Sequence, residues 1–110
     1  MPAISFSTLR DKLEAGEKKQ TIRPLKTHYW LQFKKGDPVY GYWKMRTKES
    51  EKLFESKLSQ DPFVVDPSNF TQELMQMDGF KDRSDAIKNW FYPTYGPDYV
   101  LMNFVVLRWE

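Results

Sequence analysis

The stretch Gly16-Glu17-Lys18-Lys19-Gln20-Thr21-Ile22-Arg23 holds the side chains best suited to chemistry. A helix reads as ending at the glycine, and a strand as starting a few residues later. Strand alternation puts Thr21 and Arg23 on one face, with Lys18 on the turn that leads into them. An ammonium, a hydroxyl and a guanidinium converging on one spot can hold a phosphate, carboxylate or carbonyl. The same spacing also fits a lysine that does no more than sit favourably beyond a helix C-terminus. A second group is aromatic. Tyr29, Trp30, Phe33, Tyr40, Tyr42 and Trp43 interleave with Lys26, Lys34, Lys35, Lys44 and Arg46. Rings beside lysines suit single-stranded RNA, where bases stack and ammonium groups hold phosphates. They equally suit a packed core, and Tyr29 and Trp30, in a loop, are the rings expected to face a ligand. Asp78, Asp82 and Asp85 carry oxygens that a hard cation accepts. Helix capping by Asp82, with Asp85 in the first turn, accounts for that pair more simply, and no metal is expected. His28 reads as an exposed loop residue.

The elements that must position these groups are short. Ile4-Ser5-Phe6 alternates like a strand. Ser7 caps a helix over 8–15 with Leu9 and Leu13 on one face, and Gly16 ends it. Thr21-Ile22-Arg23 is a strand halted by Pro24. Residues 26–35 form an aromatic, basic loop, Gly36-Asp37 a turn, and 39–45 a strand rich in Tyr and Trp. Residues 46–51 are a charged turn, 52–59 fit strand or helix, and 63–65 a strand. Ser68 caps a helix in which Phe70, Leu74 and Met77 recur at helical spacing, ended by Gly79. A further helix starts near Ser84, buries Ile87, Trp90 and Phe91, and stops at Pro93. Residues 99–109 read as one long strand, apolar on both faces and so central or part of a closed barrel. About five strands and three short helices predict an α+β, mainly β domain, a small barrel with helices at its rim. The expected core is Ile4, Phe6, Leu9, Leu13, Ile22, Val39, Phe70, Leu74, Ile87, Trp90, Phe91, Phe104 and Val106.

Composition narrows the possible functions. At 110 residues, 40% hydrophobic and 29% charged, the chain reads as one globular domain over 1–110. It has no cysteine, which removes disulfides, thiolate metal sites and cysteine nucleophiles, and its single histidine removes a two-histidine metal site. No apolar run approaches the ~18 residues of a membrane span. Met1-Pro2-Ala3-Ile4-Ser5 has no basic stretch before an apolar one, so no signal peptide is expected. These features predict a soluble, cytoplasmic domain without membrane partners or cofactors, with a monomer favoured. Net charge is only +2, yet residues 1–60 carry 13 basic and 7 acidic residues (net +6) and residues 61–110 carry 4 and 8 (net −4). Such a split points to one basic face.

Gly16, Lys18, Thr21 and Arg23 after a helix resemble the Gly-x-Lys-x-x-Thr-x-Arg signature of the ASCH domain (activating signal cointegrator homology), a PUA-like family of small barrels. Further landmarks follow in the family's order. Phe33-Lys34-Lys35-Gly36-Asp37 resembles the turn before its second barrel strand, and Tyr42-Trp43-Lys44-Met45-Arg46 that strand and its exit. Met77-Asp78-Gly79-Phe80 and the helix ending Trp90-Phe91 resemble its acidic-Gly-Phe motif and following helix, and residues 104–109 its closing strand. The resemblance covers nearly the whole chain. It implies an RNA- or nucleotide-binding domain whose basic cleft is lined by Lys18, Thr21, Arg23, Arg46 and Asp78, with Tyr29 and Trp30 beside it. One bacterial branch of the family hydrolyses the acetyl amide of N(4)-acetylcytidine, and this, or another nucleoside- or RNA-processing activity at the same cleft, is the alternative implied here. Lys18 would then be base, Thr21 nucleophile and Asp78 acid, with Asp78 standing where that branch has a glutamate. The chemistry is coherent, since a buried lysine can lose its proton near neutral pH and activate a hydroxyl, and an acid then protonates the departing amine.

Overall fold

A computed structural model describes residues 3–6, 10–26 and 28–110. Six strands fall into two three-stranded sheets. In the first, β1 (Ala3–Phe6) runs parallel to β3 (Pro38–Trp43), which pairs antiparallel with β4 (Glu51–Lys57). In the second, β6 (Phe104–Arg108) lies between β2 (Gln20–Pro24) and β5 (Phe63–Val65), antiparallel to both. The expected closed barrel does not form. A single bridge between Leu58 and Trp109 links the sheets on one side among the described residues. On the other side β1 and β2 share no ladder among the described residues. There the Arg23 guanidinium, not a β2 amide, takes the Ser5 carbonyl, at 2.6 Å.

β6 explains why two sheets make one body. Phe104, Val105, Val106 and Leu107 are all fully buried. Successive side chains of a strand point to opposite faces. Phe104 and Val106 join a cluster with Ile22, Phe70, Leu74, Met75, Ala86, Phe91 and Tyr99. Leu107 and Trp109 join another with Ile4, Phe6, Leu13, Val39 and Leu58. The strand reading of 99–109 is too long at its start. Pro97 opens a 3-10 turn over Pro97–Leu101, which tucks Tyr99 inward and leaves Leu101 exposed. Residues 52–59, open between strand and helix, are largely β4, because the antiparallel partner β3 supplies the ladder.

α1 (Arg10–Glu14) is the described part of the first helix; Leu9 and the Ser7 cap lie outside the described residues. α2 (Gln72–Met77) is capped by Thr71, whose hydroxyl accepts the Leu74 N–H, rather than by Ser68. Its buried face is Leu74 and Met75, while Met77 faces outward. α3 (Arg83–Ala86) is capped by Asp82, a π-turn follows over Ile87–Phe91, and α4 (Tyr92–Tyr95) continues it. Pro93 does not stop this helix. It has no N–H to donate to a carbonyl of the preceding turn. The chain widens just before it, with Tyr92 N–H reaching back to Ile87 O. Inserting one residue into the turn in this way is how helices tolerate such a break.

Phe91 is fully buried, with Phe70, Phe80, Tyr95 and Phe104 around its ring. Trp90, expected in the core, is only partly buried; it packs on the first cluster with one side and lines a cavity with the other. Phe91→Ala should therefore lower unfolding stability by ~3–5 kcal/mol, and Trp90→Ala by less than half as much. Urea denaturation of both variants checks this. An equal loss would put Trp90 in the core after all.

Candidate functional site

The turn after α1 aims Lys18 inward. Gly16 N–H bonds Leu13 O and Glu17 N–H bonds Lys12 O, with Gly16 at φ +74°. This is the Schellman closure, and its left-handed residue is glycine for want of a Cβ. Lys18 N–H then bonds Lys12 O, so the chain doubles under the helix before β2 begins. The Lys18 side chain is 5% exposed. Its ammonium does not serve the dipole of α1. It donates to the Asp78 carbonyl at 2.6 Å and lies 3.2 Å from the Asp78 carboxylate, at the C-terminal end of α2. Lys12 adds a second cation there, donating to Gly79 O at 2.8 Å. Cations at a helix C-terminus meet its free carbonyls.

Gln20, the first residue of β2, is fully buried and joins three elements. Its amide donates to Leu74 O of α2, and its carbonyl accepts from Arg108 of β6. This fixes the distance from β2 to α2, and with it the separation of Lys18 from Asp78. Arg23, on the face of Thr21, donates to the Thr21 hydroxyl at 3.2 Å as well as to Ser5 O, and its guanidinium lies over the Phe6 ring. Ser5 is held in turn, since its hydroxyl accepts the Met45 N–H.

These groups surround one cavity of about 120 Å³. Its polar wall is Ser5, Lys18, Thr21, Arg23 and Asp78. Its apolar wall is Phe6, Ile22, Phe80, Trp90 and Tyr95. The cavity occupies the gap between β1 and β2 where the barrel fails to close. It is a little smaller than a ~150 Å³ cavity that takes up benzene.

Burial dominates the electrostatics. It pushes the Asp78 carboxyl up to about 6, against the pull of the Lys18 ammonium. It pushes Lys18 below its ordinary value, against the pull of Asp78. Both groups are thus moved towards their neutral forms. Arg23 is lowered by the same cause, and the Tyr95 phenol is raised, so it keeps its proton. Asp78 Oδ1 is buried and has no hydrogen-bond partner among the described residues.

Of the expected site residues, Lys18, Thr21, Arg23 and Asp78 come together. Arg46, Tyr29 and Trp30 do not line the cavity. Arg46 is exposed in the turn after β3, at φ +71°. A 3-10 turn over Trp30–Gln32 folds the aromatic loop on itself, with Tyr29 edge-on to Trp30 and Phe33, and packs Trp30 against the second cluster. Asp82 and Asp85 are used locally, by the α3 cap and by Lys81 N–H and Asn89. No group of three His, Asp or Glu that could hold a metal occurs among the described residues. Sequence reading missed Ser5, Phe80 and Tyr95. The alternation Ile4-Ser5-Phe6 had already set Ser5 on the opposite face from the core. Among the described residues no helix is long and apolar enough to cross a membrane. Comparison with protein-family models, curated proteins and solved structures finds no match to the chain.

Lys18→Met removes the cation and leaves Asp78 buried alone. Breaking a buried pair this way costs ~3–5 kcal/mol, and that loss is expected at pH 8. Without Lys18 the carboxyl binds its proton more tightly in the folded chain than at its ordinary 3.8 in the unfolded one. The folded state therefore regains stability as pH falls through the raised value, and the deficit against the parent should shrink by pH 5. Equal deficits at both pH values, by urea denaturation, would contradict the pairing.

Proposed function

We propose that this chain is a small hydrolase that removes an acyl group from the exocyclic amine of a pyrimidine base, nucleoside or nucleotide. The burial of Lys18 beside Thr21 and an acid is the observation that carries the reading. A binding module for polyanions needs a solvated, charged lysine. Lys18 is buried, paired and pushed towards its neutral form. Among the described residues Arg23 is then the one cation lining the cavity without a carboxylate partner, and its donors are turned to Ser5 and Thr21. The resemblance to the ASCH family supports the substrate class.

In this mechanism neutral Lys18 takes the Thr21 proton as the Thr21 oxygen attacks the acyl carbon. Arg23, already at the Thr21 hydroxyl, offsets the negative charge that develops on the oxygens of the tetrahedral intermediate. Asp78 carries the proton for the departing amine on Oδ1, which has no other partner among the described residues. Lys18 then passes the proton it took to the Asp78 carboxylate 3.2 Å away and is again the base for the water that hydrolyses the acyl-threonine, the proton from that water returning to the Thr21 oxygen as the acid leaves. Lys18 and Asp78 hold one proton between them in the active form, so the pair titrates as a unit.

N(4)-acetylcytidine incubated with the protein should yield cytidine and acetate, followed by chromatography. Lys18→Ala and Thr21→Ala should each lose turnover by ~10²-fold or more, in the range of general base and nucleophile removal. The parent's kcat/KM should fall as pH drops through about 6, where Asp78 gains a proton while Lys18 is still charged and no base remains. An unacylated parent with no turnover, or a Thr21→Ala variant as active as the parent, would refute the reading.

A further inference from the structure

We propose that Trp90 is the stacking platform of the cavity and that the group it accepts is a single planar six-membered heterocycle. This rests on the reading of the cavity as the substrate's site, and it names the residue that selects the ring. Three of the four tryptophans have their rings engaged. Trp30 meets Tyr29 and Phe33, Trp43 lies beneath Arg10 and Lys44, and Trp109 stacks on Phe54 at 4.9 Å. Trp90 has neither an aromatic ring nor a cation against it among the described residues, and its indole nitrogen has no hydrogen bond among them. Its partly buried ring lies at the cavity wall.

Trp90 lies within the π-turn over Ile87–Phe91 and Tyr95 at the end of α4, and both line the cavity. π-turns of this kind recur at functional sites. Tyr95 is anchored against Phe91 and Phe104, so its ring is fixed, whereas Trp90 offers an uncovered surface. A cavity of about 120 Å³ has room for one six-membered ring beside Trp90. A base ring on an indole is a strong, sequence-tolerant contact.

The test uses cytidine as a binding probe, which needs no turnover, alongside N(4)-acetylcytidine as substrate. Cytidine should quench tryptophan emission saturably. Trp90→Leu should weaken cytidine binding, and raise KM, by about 5- to 150-fold, the span of one base-on-aromatic stack, with kcat within a few-fold. Trp90→Phe should keep near-parent affinity and lose the quench. Unchanged binding by Trp90→Leu, an undiminished quench in Trp90→Phe, or no cytidine binding by the parent would each overturn the proposal. Trp90-dependent cytidine binding without hydrolysis would defeat the hydrolase and leave this inference standing. Hydrolysis with an unaltered KM in Trp90→Leu would do the reverse.

Discussion

The burial of Lys18 constrains nearly everything around it. An ammonium taken out of water is costly unless a carboxylate and further acceptors meet it. Here those are the Asp78 carboxylate and carbonyl, at the end of α2. To bring them together the chain needs a helix that ends in a left-handed glycine and a strand that begins at once. It also needs a second helix that stops 60 residues later against the same strand. Gln20 holds the two assemblies at a fixed distance from inside the core. The pair is short of donors even so, since Asp78 Oδ1 has no partner among the described residues. An incomplete buried pair is a poor device for stability and a serviceable one for moving a proton.

The cavity that holds this pair lies in the open seam between β1 and β2. A closed ladder there would fill the gap with backbone bonds. Arg23 instead spans it with its side chain, reaching Ser5 O and Thr21, and the cavity is what the missing ladder leaves. The two hydrophobic clusters lie on either side of β6 and hold the sheets together without closure. Strain is also placed near the seam. The turn after β3 carries Lys44 and Arg46 at positive φ, and its Lys44 and Met45 amides bond Phe6 O and Ser5 Oγ on β1. β1 is thus tied from both sides of the cavity.

Much of this was legible in the residues. The glycine after the first helix, the shared face of Thr21 and Arg23, and the alternation of 4–6 are local signals, and each fixed an element. The doubly apolar run of β6 announced a central strand, because only burial on both faces tolerates Phe104-Val105-Val106-Leu107. What stayed hidden depends on pairing between distant segments. Nothing local says that Gln20 is buried, since its partners Leu74 and Arg108 are 54 and 88 positions away. Closure of the sheet was over-read because strand count does not report whether edges meet. Trp90 was read as core because helical spacing cannot show a π-turn, which shifts every later residue round the axis. The only local hint was Pro93, whose missing N–H obliges the preceding turn to adjust.

The account turns on the state of Lys18. Isotope-labelled lysine, with the Lys18 signal assigned by its loss in Lys18→Met, allows its ammonium to be titrated directly by NMR. The account predicts a midpoint below the ordinary 10.5 of lysine, because burial outweighs the attraction of Asp78. A midpoint at or above 10.5 would show an ordinary ion pair, with no base in the cavity, and would contradict it.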